Sequence, residues 1–539
     1  MSKTLTRRRF LGLATSGVAG MALGGAGLGY DAVSARAGVG GSTSCPSVSG
    51  LMPKRQFRAA WIATVFNIDW PSEPGLPADR QMREFVRLME EAAAMNMNAV
   101  VVQVRAAADA FYPSRYAPWS EYLTGVPGKN PGYDPLTFMV REAHRRNLEL
   151  HAWFNPYRVS LQDDRRRLAP DSPARRHPEW VVEYGSQLYF DPGIPGARRL
   201  IEGSVLEVVE NYDIDAVHFD DYFYPYPIPD EPFPDGATYH KYGAARFDNR
   251  DDWRRDNVNR LIGKLSVEIK RAKPSVKFGV SPFAVWRNKV TDPTGSETTA
   301  ETQTYDDLYA DTRTWIENEW LDYVAPQIYW NIGFEQAAYD VLVPWWSREV
   351  QDTSVHLYVG QAAYKIANDN AAWDEPDELP SHLRFNQRYP EVKGDIYFSM
   401  KDLLNNPLGF KDRLEDDLYK HEALVPVMPS VGNEPPHHPA LPSATQTTRG
   451  IELEWHDVPL DKNSVYYAVY RLGGGASEAC DFEDPRHILA TIRRVGDGNT
   501  QSFLDTTPRP GREYTYYVTA LNRLHRESKP SKGRSVTVR

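Results

Sequence analysis

The 539-residue sequence is poor in cysteine and in the motifs that bind cofactors or metals, and it lacks an excess of positive charge. Its two cysteines, Cys45 and Cys480, lie far apart, which argues against a structural disulfide or a thiolate metal site. Its net charge of -10 argues against nucleic acid as a partner, because phosphate contacts need clustered Lys and Arg. Metal-binding spacings such as His-Glu-x-x-His are absent, so we expect neither a metal nor a cofactor.

Aromatic residues, in contrast, are abundant. The 14 Trp and 30 Tyr supply flat apolar faces of the kind against which sugar rings stack. The hydrophobic content of 41% is enough to bury a large core, and the length of the chain predicts one large domain and one small one.

The first 37 residues have the pattern of a twin-arginine export signal. The segment Thr6–Ala14 reads TRRRFLGLA and leads into an apolar, glycine-rich run, and residues 35–37 (ARA) supply the small residues that a signal peptidase needs. A retained membrane anchor is the alternative, but the run is too rich in glycine to insert well. We therefore expect cleavage after residue 37, a leader segment over residues 38–55, and a protein in the periplasm, the cell envelope or the medium without stable membrane insertion.

Residues 56–424 alternate apolar strand patterns with amphipathic helix patterns in eight units. This alternation predicts an α/β fold, a (β/α)8 TIM barrel, whose active site is built by the loops at the carboxyl ends of the strands. The predicted strands are 57–65, 98–105, 149–155, 216–220, 277–283, 323–330, 355–362 and 394–400.

The composition changes after the predicted barrel. Residues 425–443 are rich in proline and predict a semi-rigid linker. Residues 444–539 alternate with period two and predict a small all-β sandwich that resembles a fibronectin type III domain, with Trp455, Tyr514 and Tyr516 at positions that such a fold uses. We expect this domain to be a spacer or an adhesion module rather than a second catalytic site.

The most informative segment is 218–225, which reads HFDDYFYP at the end of the fourth predicted strand. Two adjacent carboxylates cannot both ionise cheaply when they are crowded, so one of them is expected to have a raised pKa and to donate a proton at neutral pH. We take Asp220 as the first candidate for a catalytic carboxylate and Asp221 as its partner. The alternative is that both only cap the next turn or pair with arginine.

Polar side chains end most of the other predicted strands as well. Residues two apart share a face of a strand, so we expect these groups to point into one mouth. They are Gln103 and Arg105, Asn155, His218 and Asp220, Ser281, Gln327 and Tyr329, and Gln361.

Substrate-binding roles follow from these positions. Arg105 would hold an anionic or hydroxyl-rich group. Asp109 would be a distant second carboxylate, with an N-cap or a salt bridge as the alternative. We expect hydrogen bonds to sugar hydroxyls or to an acetamido group from Asn155, Tyr157 and Gln327. Sugar rings would stack on Trp153, Trp286 and Trp330, and His218, Tyr222 and Tyr329 would make further contacts with the substrate. For each tryptophan, packing within the barrel is the alternative.

The motifs at six strand ends together resemble the bacterial glycosyl-hydrolase-like family ten over roughly residues 57–420. The segments are 57–65 (FRAAWIATV), 103–105 (QVR) followed by 109–114 (DAFYPS), 151–158 (HAWFNPYR), 218–225 (HFDDYFYP), 279–283 (GVSPF) and 325–330 (APQIYW). The resemblance implies a (β/α)8 glycoside hydrolase acting on polymers of N-acetylglucosamine and N-acetylmuramic acid, that is, on peptidoglycan glycan strands that lack stem peptides. The fibronectin-like domain is not part of the family's common core.

Two other functions remain open at this point. One is a metal-dependent polysaccharide deacetylase or amidase, with His151, His218 and Asp220 as ligands. The other is a non-catalytic envelope protein that binds sugar, since fold does not imply function. In each case the expected partner is a polysaccharide, with envelope or division proteins as further candidates. The choice among retaining, inverting and acetamido-assisted hydrolysis is also open.

Overall fold

The computed structural model describes residues 53–539, apart from 430–433, 458–462, 475–476 and 497. The predicted export signal, most of the predicted leader and part of the predicted linker lie outside these ranges. Within them, no helix combines the length and the apolar character that a membrane span requires.

Eight parallel strands close into a barrel, and each of the eight predicted strands is present. The first eleven strands of the chain are β1 Phe57–Ile62, β2 Ala99–Arg105, β3 Glu149–Phe154, β4 Arg158–Ser160, β5 Val181–Tyr184, β6 Gln187–Phe190, β7 Ala216–Phe219, β8 Lys277–Val280, β9 Tyr323–Val324, β10 His356–Gln361 and β11 Val392–Tyr397. The barrel order is β1-β11-β10-β9-β8-β7-β3-β2. The prediction of a TIM barrel is therefore confirmed. The small antiparallel sheet β4-β6-β5, in the long loop after β3, was not predicted.

Helices cover the outside of the barrel and follow its strands in the chain. The α-helices are Ala78–Ala94, Glu121–Thr124, Pro135–His144, Pro173–Arg176, Pro195–Asn211, Gly236–Tyr242, Arg250–Ala272, Thr304–Asp307, Thr312–Glu317, Tyr339–Glu349, Glu378–Asn386, Met400–Leu404 and Phe410–Arg413. Local sequence explains where such a helix begins. The helix Arg250–Ala272 begins after Asn249, whose side chain accepts a hydrogen bond from the Asp252 N–H at 2.8 Å. Its buried positions include Val258, Leu261, Ile262 and Leu265, three or four residues apart.

The barrel interior is aromatic rather than aliphatic, which is unusual because Val, Ile and Leu dominate such interiors. Phe57, Trp61, Tyr323 and Tyr358 pack together there and are at most 2% exposed. Gly279 makes this packing possible, since a Cβ at that position would lie 2.1 Å from the Tyr323 ring. Aromatic side chains thus fill the interior of the barrel, and their buried polar atoms need hydrogen-bond partners.

The carboxyl-terminal domain is an all-β sandwich, as predicted. Its strands are β12 Ala440–Thr447, β13 Gly450–His456, β14 Tyr466–Gly473, β15 Ile488–Arg493, β16 Thr500–Asp505, β17 Glu513–Leu521 and β18 Arg534–Thr537. They form two antiparallel sheets, β12-β13-β16 and β15-β14-β17-β18, of which β12 and β18 were not predicted. Trp455, Tyr467 and Tyr516 are fully buried between the sheets.

This domain packs directly on the amino-terminal end of the barrel. Leu524 belongs to the same hydrophobic cluster as the interior rings, and so do Val425 and Met428 at the start of the predicted linker. This end of the proline-rich segment therefore packs against the barrel instead of spacing the domains.

Cys480 is disulfide-bonded, so the expectation that the chain lacks a structural disulfide is wrong. The other cysteine of the chain, Cys45, lies outside the described residues.

Candidate active site

Asp220 directly follows β7 at the carboxyl-terminal mouth of the barrel and is 4% exposed. Its Oδ2 accepts hydrogen bonds from Trp153 Nε1 at 3.0 Å and from Asn155 Nδ2 at 3.1 Å, and its Oδ1 accepts one from the Tyr222 N–H at 3.2 Å. Burial, followed by the neighbouring Asp221 charge, raises the pKa of Asp220 to about 7. Asp220 is therefore suited to hold a proton near neutral pH.

Asp221 is equally buried, but its hydrogen bonds come from other elements. Its Oδ1 accepts from Gln327 Nε2 at 3.0 Å, and its Oδ2 accepts a short hydrogen bond from the Tyr226 hydroxyl. Gln327 is oriented because its Nε2 also donates to the Ser281 carbonyl at 2.9 Å. Burial raises the pKa of Asp221 as well. Two carboxyl groups with raised pKa values thus lie side by side, whereas the sequence predicted a raised pKa for one of them.

Arg158 supplies positive charge to this pair, and the sequence analysis missed it. Its guanidinium lies 4.4 Å from the centre of the Tyr222 ring, it is 2% exposed, and its charge lowers the pKa of Asp220 against the effect of burial. Its position is set by β4 and by Asn155, whose Oδ1 accepts from the Arg158 N–H at 3.1 Å. The only signal in the sequence was its place in the segment HAWFNPYR.

Two rows of partly exposed aromatic rings lie at the same mouth of the barrel, and Tyr222 and Tyr226 of the first row bind the two carboxylates. Consecutive ring centres are 5.5 to 6.4 Å apart along Tyr222–Tyr226–Phe283–Trp330 and Tyr364–Tyr329–Phe398. We call these seven residues the aromatic wall. Such faces pack well against the apolar face of a sugar ring. Of its members, Tyr222, Tyr329 and Trp330 were predicted, whereas Tyr226, Phe283, Tyr364 and Phe398 were not.

The structure gathers several of the predicted residues around the carboxylates: Trp153, Asn155, Tyr222, Gln327, Tyr329 and Trp330. Trp153 and Asn155 are bound to Asp220 itself. Trp153 is 7% exposed and packs within the barrel interior, so packing, the alternative weighed for it, describes its position.

Four other predicted residues lie in protein surroundings. Arg105 is 1% exposed and donates to the carbonyl groups of Asn155 and Pro156, at 2.6 and 3.0 Å. Asp109 accepts from the Ala107 N–H at 3.0 Å. Trp286 stacks on Trp345 with ring centres 6.1 Å apart, and Tyr157 is 1% exposed. Their roles toward a substrate stay predictions.

His218 and Gln361 do not reach the mouth of the barrel. His218 is fully buried, and its ring nitrogens contact Trp61, Ser281 and Tyr323 in the barrel interior. The prediction for Gln361 is wrong: its side chain points to the helical layer and binds Tyr339, Asp395 and His382 at 2.8 to 3.0 Å. The reason is strand parity, because Tyr358 of the same strand points inward, so a residue three positions on points outward.

The metal site of the deacetylase alternative is not formed by its proposed ligands. Both nitrogens of His151 and of His218 are engaged by protein groups, which leaves no lone pair directed at Asp220. In the part of the chain that the structure describes, no three His, Cys, Asp or Glu side chains are arranged to hold a metal ion.

The chain is similar to known proteins over most of its length. The profile of the family described as Glycosyl hydrolase-like 10 matches residues 56–375, which span strands β1 to β10. The chain belongs to this family. The match confirms the resemblance to this family that the sequence motifs indicated. The chain therefore has a glycosidase-like architecture.

Relatives of this family member carry hydrolase names. The chain is 53% identical over 494 residues to glycosyl hydrolase YngK of Bacillus subtilis, covering 91% of this chain and 95% of the relative. It is 41% identical over 388 residues to glycosyl hydrolase DigH of Escherichia coli K12, covering 68% and 87%. Among solved structures, the PgaB (BpsB) glycoside hydrolase domain of Bordetella bronchiseptica superimposes with a TM-score of 0.43 at 14% identity, covering 68% of this chain and 98% of that domain.

Proposed function

We propose that the protein is an exported glycoside hydrolase that cleaves an N-acetylated cell-wall polysaccharide, namely peptidoglycan glycan strands that lack stem peptides. The observation that carries the proposal is the Asp220–Asp221 pair, with two raised pKa values, inside the aromatic wall of a Glycosyl hydrolase-like 10 member. The hydrolase names of the relatives support the reaction class.

In the proposed reaction, Asp220 donates its proton to the glycosidic oxygen as the bond from that oxygen to the anomeric carbon breaks. Water then adds to the anomeric carbon, and the proton that it gives up returns through solvent to the Asp220 carboxylate, so that one bond is hydrolysed and the acid is restored. Asp221 stabilises the positive charge that develops on the sugar ring or on its acetamido group. Tyr226 and Gln327, which donate to Asp221, hold it in place for this role.

Export is supported by two independent features. The first is the twin-arginine pattern at residues 6–14. The second is the disulfide at Cys480, because structural disulfides persist in oxidising compartments such as the periplasm and the medium.

The experiment uses the mature chain, residues 38–539, with intact peptidoglycan and with peptidoglycan treated with an amidase to remove stem peptides. We expect soluble fragments with new reducing ends from the treated material only, identified by mass spectrometry. Asp220→Asn and Asp221→Asn should each lower the rate by at least about 100-fold, while Asp230→Asn, at an exposed position of the same loop, should not.

Full activity in both aspartate variants would remove the pair from the chemistry. Binding to insoluble peptidoglycan without release of fragments would support the non-catalytic alternative. Release of acetate or peptide that stops on chelation would support the deacetylase or amidase alternative.

A further inference from the structure

A continuous line of hydrogen bonds runs through the interior of the barrel, beneath the candidate active site. At its upper end, Trp61 Nε1 donates to His218 Nε2 at 3.2 Å, and Ser281 Oγ lies 3.0 Å from the same nitrogen. The other nitrogen of His218, Nδ1, lies 2.9 Å from the Tyr323 hydroxyl. That hydroxyl is also 3.0 Å from His151 Nδ1.

The lower end of the line is closed by the carboxyl-terminal domain. His151 Nε2 lies 3.0 Å from Glu149 Oε2, at the first residue of β3. Lys277 Nζ is 2.5 Å from both oxygens of Glu149, and His525 Nε2 of the sandwich domain is 2.8 Å from Oε1. Glu149 is 1% exposed, and against the effect of this burial the Lys277 charge together with the hydrogen bonds from His151 and His525 holds its pKa well below the ordinary value. We call Trp61, His218, Tyr323, His151 and Glu149 the axial column.

The direction of every hydrogen bond in the axial column follows from its first donor. An indole N–H can only donate, so His218 Nε2 must be the acceptor and the single proton of the His218 ring is on Nδ1. This proton is donated to the Tyr323 hydroxyl, which in turn donates to His151 Nδ1. The proton of His151 is then on Nε2 and is donated to the Glu149 carboxylate. The two histidines are therefore neutral and have opposite tautomers.

We propose that the axial column positions the floor of the candidate active site, and that His525 makes the sandwich domain part of this positioning system. The catalytic part of this inference rests on the proposed function. His218 is two residues before Asp220, and Trp61 lies 6.2 Å, ring centre to ring centre, from Phe398 of the aromatic wall. Fixing the His218 ring thus fixes both a residue of the acid-bearing strand and the indole next to the wall.

A purely structural role would not require this arrangement. An aliphatic interior packs a barrel without buried polar atoms, each of which costs free energy if its partner is lost. The axial column instead keeps a defined proton position on each ring, over a path from beneath the candidate active site to the domain interface. Such defined positions are what preorganisation of a site requires.

The first test needs no substrate. Long-range proton–nitrogen NMR spectra of histidine-labelled protein at neutral pH should show His218 as the Nδ1–H tautomer and His151 as the Nε2–H tautomer, with assignments from His218→Gln and His151→Gln. Finding the same tautomer for both, or a charged ring for either, would overturn the column as described. This result does not depend on whether the protein is a glycosidase.

The second test asks whether the axial column acts on turnover. Tyr323→Phe removes the central hydroxyl but keeps the ring, and should lower kcat about tenfold with KM changed less than about twofold. Tyr358→Phe is the matched control, because Tyr358 is also an interior ring but its hydroxyl contacts His356, outside the column. Equal kcat values for the two variants would overturn the positioning role.

The third test addresses the sandwich domain. His525→Phe keeps a ring against Tyr466, whose centre is 4.6 Å away, but removes the hydrogen bond to Glu149. It should lower kcat in the same direction as Tyr323→Phe, and His525→Gln, which keeps a donor, should restore most of it. If the wild type hydrolyses the substrate and His525→Phe has the same kcat, the sandwich domain is not part of the positioning system. If the wild type hydrolyses nothing, the proposed function fails, and the NMR spectra still test the hydrogen bonds of the axial column.

Discussion

The indole N–H of Trp153 donates to Asp220 Oδ2 at 3.0 Å, so this tryptophan acts on the charge of the candidate acid. A ring predicted as a sugar platform is therefore bound edge-on to a carboxylate. Hydrogen bonds to the ionised form of an acid favour that form, which is why Trp153 lowers the pKa of Asp220 against the effect of burial.

The first prediction concerns the pH profile of Trp153→Phe. If Asp220 is the general acid, kcat/KM of the wild type should fall as pH rises above about 7, where Asp220 loses its proton. Removing the indole donor destabilises the carboxylate and raises this pKa, so the alkaline limb should move to higher pH. Trp315→Phe, which removes an indole that donates to Asn259 instead of to a carboxylate, should leave the limb in place. A downward shift in Trp153→Phe would contradict the assignment.

The second prediction concerns stability and Asp395, which is 1% exposed and accepts from Gln361 and Asn386, each at 2.8 Å. Burial raises its pKa from 3.8 to about 7, so the folded protein binds this proton more tightly than the unfolded chain. The stabilisation from this proton is thus lost as pH rises from about 4 to about 7, at up to about 1.4 kcal/mol per pH unit.

Asp395→Asn removes this titration. The free energy of unfolding, measured in urea at several pH values in that window, should therefore fall less steeply with pH in Asp395→Asn than in the wild type. The exposed Asp230→Asn variant should keep the wild-type slope. Identical slopes for Asp395→Asn and wild type would show that Asp395 does not hold a proton in the folded state.

The sequence was sufficient for the barrel and for the position of Asp220 and Asp221 at the end of a barrel strand, because the strand–helix alternation and the place of a carboxylate at a strand end are local patterns. Their catalytic role stays a prediction. The rule that residues two apart share a face of a strand gave a wrong prediction where the strand is irregular. The register between β2 and β3 shifts between Gln103 and Arg105, which breaks the period of two and removes Arg105 from the face of Gln103.

Arrangements that depend on distant residues could not be predicted. Arg158 is placed by a sheet whose strands β4 and β6 meet only after folding, and His525 contacts Glu149 across 376 positions of the chain. The same applies to Cys480, because cysteine spacing alone does not report pairing.

The third prediction concerns the contact between the two domains at Asp215. This carboxylate is 1% exposed and accepts from His144 Nε2 at 2.8 Å and from Arg523 Nη2 of the sandwich domain at 3.0 Å. Arg523→Ala leaves a buried charge with fewer partners and should lower the free energy of unfolding by about 3 kcal/mol. Arg509→Ala, at an exposed position of the same domain, should change it by less than about 0.5 kcal/mol. If Arg523→Ala and Arg509→Ala have the same free energy of unfolding, the contact between Arg523 and Asp215 does not stabilise the protein.

The last prediction concerns Cys480. The chain has two cysteines, and Cys480 is disulfide-bonded, so thiol titration of the denatured exported protein should detect no free thiol before reduction and two after it. Non-reducing electrophoresis should show a monomer if the bond is within the chain. Cys480→Ser should then lower the free energy of unfolding by about 2 to 4 kcal/mol, because a cross-link restricts the unfolded chain. Two free thiols in the unreduced protein would contradict the disulfide, and would also remove one of the two supports for an oxidising compartment.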